Sequence, residues 1–215
     1  MKTVSDGEKR SRKLRVWELA LLLGAAVFLL TGALSLRSQD QLADKVVRLH
    51  VLANSDSEED QALKLKVRDR VLEQATAILE QAADRGEAEA LLRGQLLELE
   101  HTAAEVIAEN GYDYPVSVEL EQTQFPTKEY DGFALPAGTY LALRVIIGEG
   151  AGQNWWCVVF PPLCTAASSD VPETALAAGL SGDQVSLITE ADTGYKLKFK
   201  SVELWESLMA KLSGK

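Results

Sequence analysis

"VWELALLLGAAVFLLTGALSL", Val16 to Leu36, constrains this chain more than any other stretch. It is apolar almost throughout and holds one charge, Glu18. A helix of roughly 20 apolar residues spans the hydrocarbon of a bilayer, and a soluble core rarely contains so uniform a run. Lys2, Lys9, Arg10, Arg12, Lys13 and Arg15 precede it. Basic residues on that side, with few just beyond, place the N-terminus in the cytoplasm and the rest of the chain outside. Ala33 and Ser35 offer small residues for cleavage after Ser35, but the run is long for a signal-peptide core, which favours a retained anchor. The expected organisation is a basic segment over 1–15, a signal-anchor or signal-peptide helix over 16–36, a polar linker "RSQDQLADK" over 37–45, and one extracytoplasmic domain over 46–215.

Setting the segment aside changes the charge. Seven of the 22 Lys/Arg and three of the 32 Asp/Glu lie in residues 1–37, so the remainder carries a net charge of −14. Nucleic-acid binding runs on basic patches, and this surface argues against it. It argues equally against adhesion to anionic lipid headgroups. The rest of the chain is long enough for one domain with its own core.

The period of the side chains gives the elements. "VVRLHVLA", 46–53, alternates, with Val47, Leu49, Val51 and Ala53 on one face and Arg48, His50 and Leu52 on the other. That is a strand. "NSDS" follows as a turn, and Ser57 with Asp60 resembles a capping box. A helix is expected from Glu58 to Ala83, with Leu65, Val71, Leu72, Ala75, Ile78, Leu79 and Ala82 on its apolar arc. Gly86 should break it, and a second helix should run from Glu87 to Glu109, stopped by "NGY". Strands are expected at "PVSVELEQ", "TYLALRVIIGE", "WWCVVF" and "YKLKFKS", and a closing helix at "VELWESLMAKL"; residues 165–193 suggest no element. The fold class expected is α+β, with helices packed on a mostly antiparallel sheet.

Little in the sequence carries catalysis. The two histidines are His50 and His101. His50 could join Asp56 and a serine, Ser55 or Ser57, but there is no G-x-S-x-G elbow or other spacing with a mechanical role. No H-E-x-x-H or Cys/His cluster suggests zinc. "GEGAGQN", 148–154, has the glycines of a phosphate loop without the following Lys-Ser/Thr and helix, and reads as a flexible turn between strands. Neither catalytic residues, nor a metal, nor a cofactor is expected. Arg68 falls in the apolar arc of the first helix, between Leu65 and Leu72, while Lys64 lies nearer its edge and can snorkel. A guanidinium against the core needs a carboxylate. Asp56 is the expected partner, in a structural ion pair; an anionic ligand is the alternative.

"NWWCVVFPPLC", 154–164, holds both cysteines of the chain and two of its four tryptophans. On a strand, Trp155 and Trp156 point to opposite faces, and tryptophan is a usual anchor of binding surfaces. Both are expected as partner contacts if they reach the surface. Pro161 and Pro162 have no N–H to give a central strand, so the chain must turn there. A reversal brings Cys157 and Cys164 opposite one another, at a separation that suits a disulfide. Outside the membrane they can oxidise; two buried thiols are the alternative.

"RLHVLANSDSEEDQALKLKVRDRVL", "FPTKEYDGFALPAGTYLALRVIIGEGAGQN" and "NWWCVVFPPLC", together with the apolar segment at the front, resemble the stage II sporulation protein R family of endospore-forming bacteria. The resemblance is close over 46–72 and 112–164 and only general elsewhere. It implies a developmental signal made in the forespore and exported across the inner forespore membrane. In the space between the two membranes that signal triggers a membrane-embedded aspartic protease, which processes the precursor of sporulation sigma factor E. The residues agree with this on their own in three respects: an export segment, an acidic outer domain and no recognisable catalytic constellation. Two other classes compete with it. One is a cell-wall hydrolase using His50 with Asp56, or the carboxylates Asp56, Glu59 and Asp60; the other is a wall-binding module using exposed tryptophans.

Overall fold

The computed structural model describes residues 4–130, 132–163 and 171–189; the side chains of 4–16, 31–36 and 38 are not described. The strand expected at 195–201, the closing helix and Cys164 lie outside the described residues. The chain divides into two units, 1–38 and 39–215.

The described residues of the first unit are helical. α1 runs from Val4 to Ala43 and so contains the whole apolar run. Trp17, Leu19, Leu21, Leu22, Leu23, Phe28 and Leu30 are all exposed. A helix that is apolar all round is normally covered, by a core or by lipid. Among the described residues no helix is long and apolar enough to cross a membrane. Where a polar linker was expected at 37–45, the helix continues to Ala43. Gln39, Leu42 and Ala43 are buried there. Leu42 and Ala43, with Val46, join an apolar cluster of the second unit, which gives that short amphipathic stretch a reason to stay helical.

The second unit is built on a four-stranded sheet in the order β2-β5-β1-β6, from β1 (Val47–Leu52), β2 (Val116–Phe125), β5 (Gly138–Ile147) and β6 (Asn154–Phe160). β2 and β6 each run antiparallel to their neighbours, but β1 and β5 pair in parallel, with His50 beside Arg144. The sheet is therefore mixed, with two antiparallel pairings and one parallel pairing that the sequence did not show. β3 (Lys128–Tyr130) and β4 (Phe133–Leu135) form a separate hairpin that the sequence analysis did not foresee.

Alternation along each strand separates two cores. Val47, Leu49, Val51, Leu143, Val145, Val118, Leu120 and Cys157 face the helices α2 (Glu58–Leu79), α3 (Arg85–Gly94) and α4 (Leu96–Glu109). Tyr140, Ala142, Val158 and Phe125 face the other way. There they meet the end of α1, the β3–β4 hairpin and two short helices, α5 (Val171–Ala177) and α6 (Gly182–Thr189).

The helices depart from their expected bounds in instructive ways. α2 ends at Leu79, four residues early. Asp84 then caps α3 by accepting the N–H of Glu87, and Glu87 reaches back to the N–H of Ala83. Gly86 thus sits inside a first turn instead of breaking a helix, and the expected second helix is divided at Gln95 into α3 and α4. On α2 the buried stripe is Asp60, Leu63, Lys64, Val67, Val71, Ala75 and Leu79. It is rotated from the expected arc: Leu65 is exposed and Lys64 is buried.

Candidate functional site

Two turns lock together at one end of the sheet. The β1–α2 turn, 53–57, meets the β5–β6 turn, 148–153, through backbone bonds from Gly152 N–H to Ala53 O (3.0 Å) and from Ala151 N–H to Asn54 O (3.2 Å). Asn54 Oδ1 accepts from the N–H of Glu149 at 3.0 Å, and Asp56 Oδ1 from the N–H of Gln153 at 2.8 Å. The glycines make this approach possible. A Cβ on Gly152 would lie 2.2 Å from Ser55 O, and one on Gly148, whose φ is +58°, would lie 2.1 Å from Asn54 Oδ1. "GEGAGQN" is therefore a docked turn and not a flexible one.

Beneath the turns Asp60 is buried and accepts from Ser55 Oγ (2.6 Å) and Asn54 Nδ2 (2.9 Å). The Ser55 bond holds its carboxyl below the usual range, against the effect of burial, with Asn54 and Tyr114 assisting. Ser57 caps α2 by accepting the N–H of Asp60 at 3.1 Å. Lys64 donates to Gln61 Oε1 and to the backbone oxygen of Gln153 at 2.9 Å. Burial lowers its pKa; Asp56 opposes this and Arg68 adds to it.

The expected Asp56–Arg68 pair is not formed. Asp56 is committed to the backbone of Gln153, and Arg68 bonds its own neighbour Asp69 at 2.6 Å. The rotation of α2 explains this, because it carries Arg68 from the centre of the apolar arc to its half-exposed rim. There the guanidinium stacks over the ring of Trp155, 4.6 Å from its centre. Trp155 and Trp156 do point to opposite faces, and both are half-buried. Trp155 packs at the border of the helix-side core, Trp156 on the other face.

That other face holds a cluster the sequence analysis missed. Arg48 is fully buried. Its guanidinium lies 3.9 Å from the centre of the Phe125 ring and 5.0 Å from that of Tyr140, and it donates to Tyr130 Oη at 2.8 Å. Burial raises the pKa of Tyr130, and Arg48 opposes it. Tyr140 is also pushed up by burial. His50 and Trp156 both lie within 6.0 Å of the Phe125 ring, centre to centre. His50 Nε2 bonds Asn154 Oδ1 at 2.7 Å. Burial holds the His50 imidazole below its ordinary pKa; the Asn154 bond opposes this, and Arg144 and Arg48 add to the lowering. Arg144 reaches across to Glu121 and, at 3.8 Å, to Glu119. The signal was present as alternation: Arg48 with His50, and Tyr140 with Arg144, share the face opposite the aliphatic residues. The pairing of β1 with β5 that unites them was not legible.

The other sequence candidates are dispersed. His50 points to Asn154, away from Ser55, Asp56 and Ser57, each of which is engaged in the turns. Glu59 is exposed in the first turn of α2, and His101 is exposed on α4 beside Glu105 at 3.5 Å. No group of metal-ligating side chains occurs among the described residues. Cys157 is buried and is not a free thiol. β6 ends at Phe160, where the chain was expected to turn.

The comparisons with known proteins bear on the segment that builds both turns and both tryptophans. A family model described as stage II sporulation protein R matches residues 43–170. The chain is also similar to stage II sporulation protein R of Bacillus subtilis (strain 168), with 40% identity over 147 residues. That match covers 67% of this chain and 66% of the relative's length. No solved structure matches.

Proposed function

Because the chain belongs to the stage II sporulation protein R family, we propose that it is the exported signal this family implies. In this reading it is made in the forespore, delivered through the segment Val16–Leu36 and held by that helix or released from it. It acts in the space between the forespore and mother-cell membranes. Its partner is the membrane-embedded aspartic protease that processes the sigma E precursor. It acts as a binding protein and contributes no reaction of its own.

The observation that carries the reading is the family match over residues 43–170. Two others support it. The apolar run with its basic flank has the form of an export segment. Of the groups a hydrolase would use, Ser55 and Asp60 bond each other, Ser57 caps α2, and Asp56 ties the β1–α2 turn to the β5–β6 turn. We place the contact with the protease on the tryptophan pair, with Trp155 and its stacked Arg68 on one side of the edge strand and Trp156 on the other. Aromatic rings beside arginine are the usual anchors of such contacts.

Co-expression in a non-sporulating host tests this. The protease and the sigma E precursor are produced with and without this chain, and processing is scored on a gel. Processing that depends on the chain is the expected result. Processing that is absent in every combination, with the chain folded and exported, would sink the proposal.

A further inference from the structure

Cys157 is disulfide-bonded. The chain has one other cysteine, Cys164. Cys157 is completely buried in the helix-side core, where β6 sets it opposite Leu49 of β1. A second copy of the chain could not reach that sulfur without opening the core. Its partner therefore belongs to the same chain, and Cys164 is the residue left for it.

The surroundings show what such a bond holds. β6 lies at one end of the strand order, and among the described residues β1 is its one strand neighbour. Their register shifts between Val47 and Arg48, opposite the last residues of β6. Pro161 and Pro162 follow and have no N–H with which to extend the ladder. The chain turns there, with Leu163 N–H donating to Pro161 O at 2.7 Å. Leu163 is buried in the apolar cluster of the opposite face, which also contains Val158, and Cys164 comes next in the chain. A bond from Cys157 to Cys164 thus ties the end of β6 where its pairing is irregular, one residue past Trp156.

We propose that Cys157 and Cys164 are a compartment-dependent latch, a dithiol while the chain is in the cytoplasm and a disulfide once it is outside, and that the latch fixes the edge strand carrying Trp155 and Trp156. The cytoplasm keeps thiols reduced and the space beyond the membrane does not. On closing, the two thiols lose two protons and two electrons, and the S–S bond forms. A small-molecule or protein disulfide of the outer space takes them and leaves as two thiols. The dithiol form keeps its core, because a buried thiol packs as a small apolar group. What it loses is the constraint on the turn and on the end of β6. The change of compartment and the use of this edge by the protease rest on the signalling reading above; the bond and its hold on β6 do not.

The test begins with the full chain made in the non-sporulating host, beside the variant lacking Leu19 to Leu34, which stays in the cytoplasm. Thiols are alkylated in denaturant before any reductant is added, and the mass is read. No label on the exported chain and two labels on the retained one are expected. Two labels on the exported chain would overturn the bond, and an unlabelled retained chain would overturn its dependence on compartment. Oxidised afterwards with a small disulfide, the retained variant should melt as the exported chain does. The exported chain in detergent is next studied with and without a phosphine reductant, its reduction checked by the same label count. Reduction should lower the thermal midpoint by about 5 °C, as opening so short a ring does. It should also speed amide exchange over residues 157–160 about tenfold or more, and leave α2 unaffected. No change in either would remove the hold on β6. Cys164→Ala leaves Cys157 as a buried thiol; it should match the reduced wild type, ignore the reductant and lose most of the processing of the sigma E precursor. Full processing by Cys164→Ala would refute the latch as a condition of signalling. A wild-type chain that drives no processing would count against the signalling reading alone, since label count, midpoint and exchange still judge the latch.

Discussion

Arg68 and His50 show how single side chains depart from their local pattern. Arg68 finds Trp155 and Asp69 instead of Asp56. In a double-mutant cycle, Arg68→Met and Asp56→Asn should each cost about 1 kcal/mol and be additive to within about 0.5 kcal/mol. Arg68→Met combined with Trp155→Leu should instead show coupling of about 0.5–1 kcal/mol. Denaturant unfolding of the five variants (three single, two double) and the wild type measures both. His50 makes a pH prediction. Its folded pKa lies below the unfolded value of roughly 6.5. The unfolded chain therefore takes up a proton that the folded chain does not, and stability falls as pH drops through that value toward the folded pKa. The contribution is intact above the unfolded pKa. Thermal midpoints at pH 7.5 and 5.5 should drop more for the wild type than for His50→Gln. Equal drops would remove His50 as the cause.

The interlocked turns are the feature to probe among the elements. Gly152→Ala forces a methyl against the backbone of Ser55 and should destabilise by about 3 kcal/mol. Gly94→Ala, at the end of α3 with nothing within 4 Å of the added methyl, should be neutral or stabilising by about 0.5 kcal/mol. Urea midpoints for the two variants, with unchanged slopes, decide between crowding and a general intolerance of side chains. What the sequence made legible follows from the same physics. β1, β5 and β6 could be read because alternation is a local property, and the Ser57 cap because its partner is three residues away. Lys64 was misread because its buried ammonium depends on the carbonyl of Gln153, 89 residues distant. Asp56 was given Arg68, on the helix that follows its turn, as partner, whereas its acceptor oxygen serves the β5–β6 turn. The β3–β4 hairpin had a local signal in the Asp131-Gly132 dipeptide, but three-residue strands are too short for alternation to show. The cluster around Arg48 required the strand order, which no period contains.

For the molecule as a whole, the proposed export makes the first helix the deciding element. Deleting Leu19 to Leu34 should abolish signalling while leaving the thermal midpoint of the outer domain unchanged. Processing of the sigma E precursor, scored beside a melting curve, checks both halves of that statement. A variant retained in the cytoplasm that still drives processing would be incompatible with action across a membrane.

The parallel pairing of β1 with β5 sets the timetable of folding. β1 is complete at Leu52, yet its two neighbours in the sheet begin only at Gly138 and Asn154. A chain that emerges from its N-terminus thus presents its central strand, with both edges bare, long before either partner arrives. Helices α2 to α4 can form meanwhile, because their contacts are local. The sheet closes late, when some hundred further residues have emerged. Chains stalled short of β5 should accordingly be soluble helical fragments with a sticky strand at the front, the species that quality-control proteases and holding chaperones are best suited to meet.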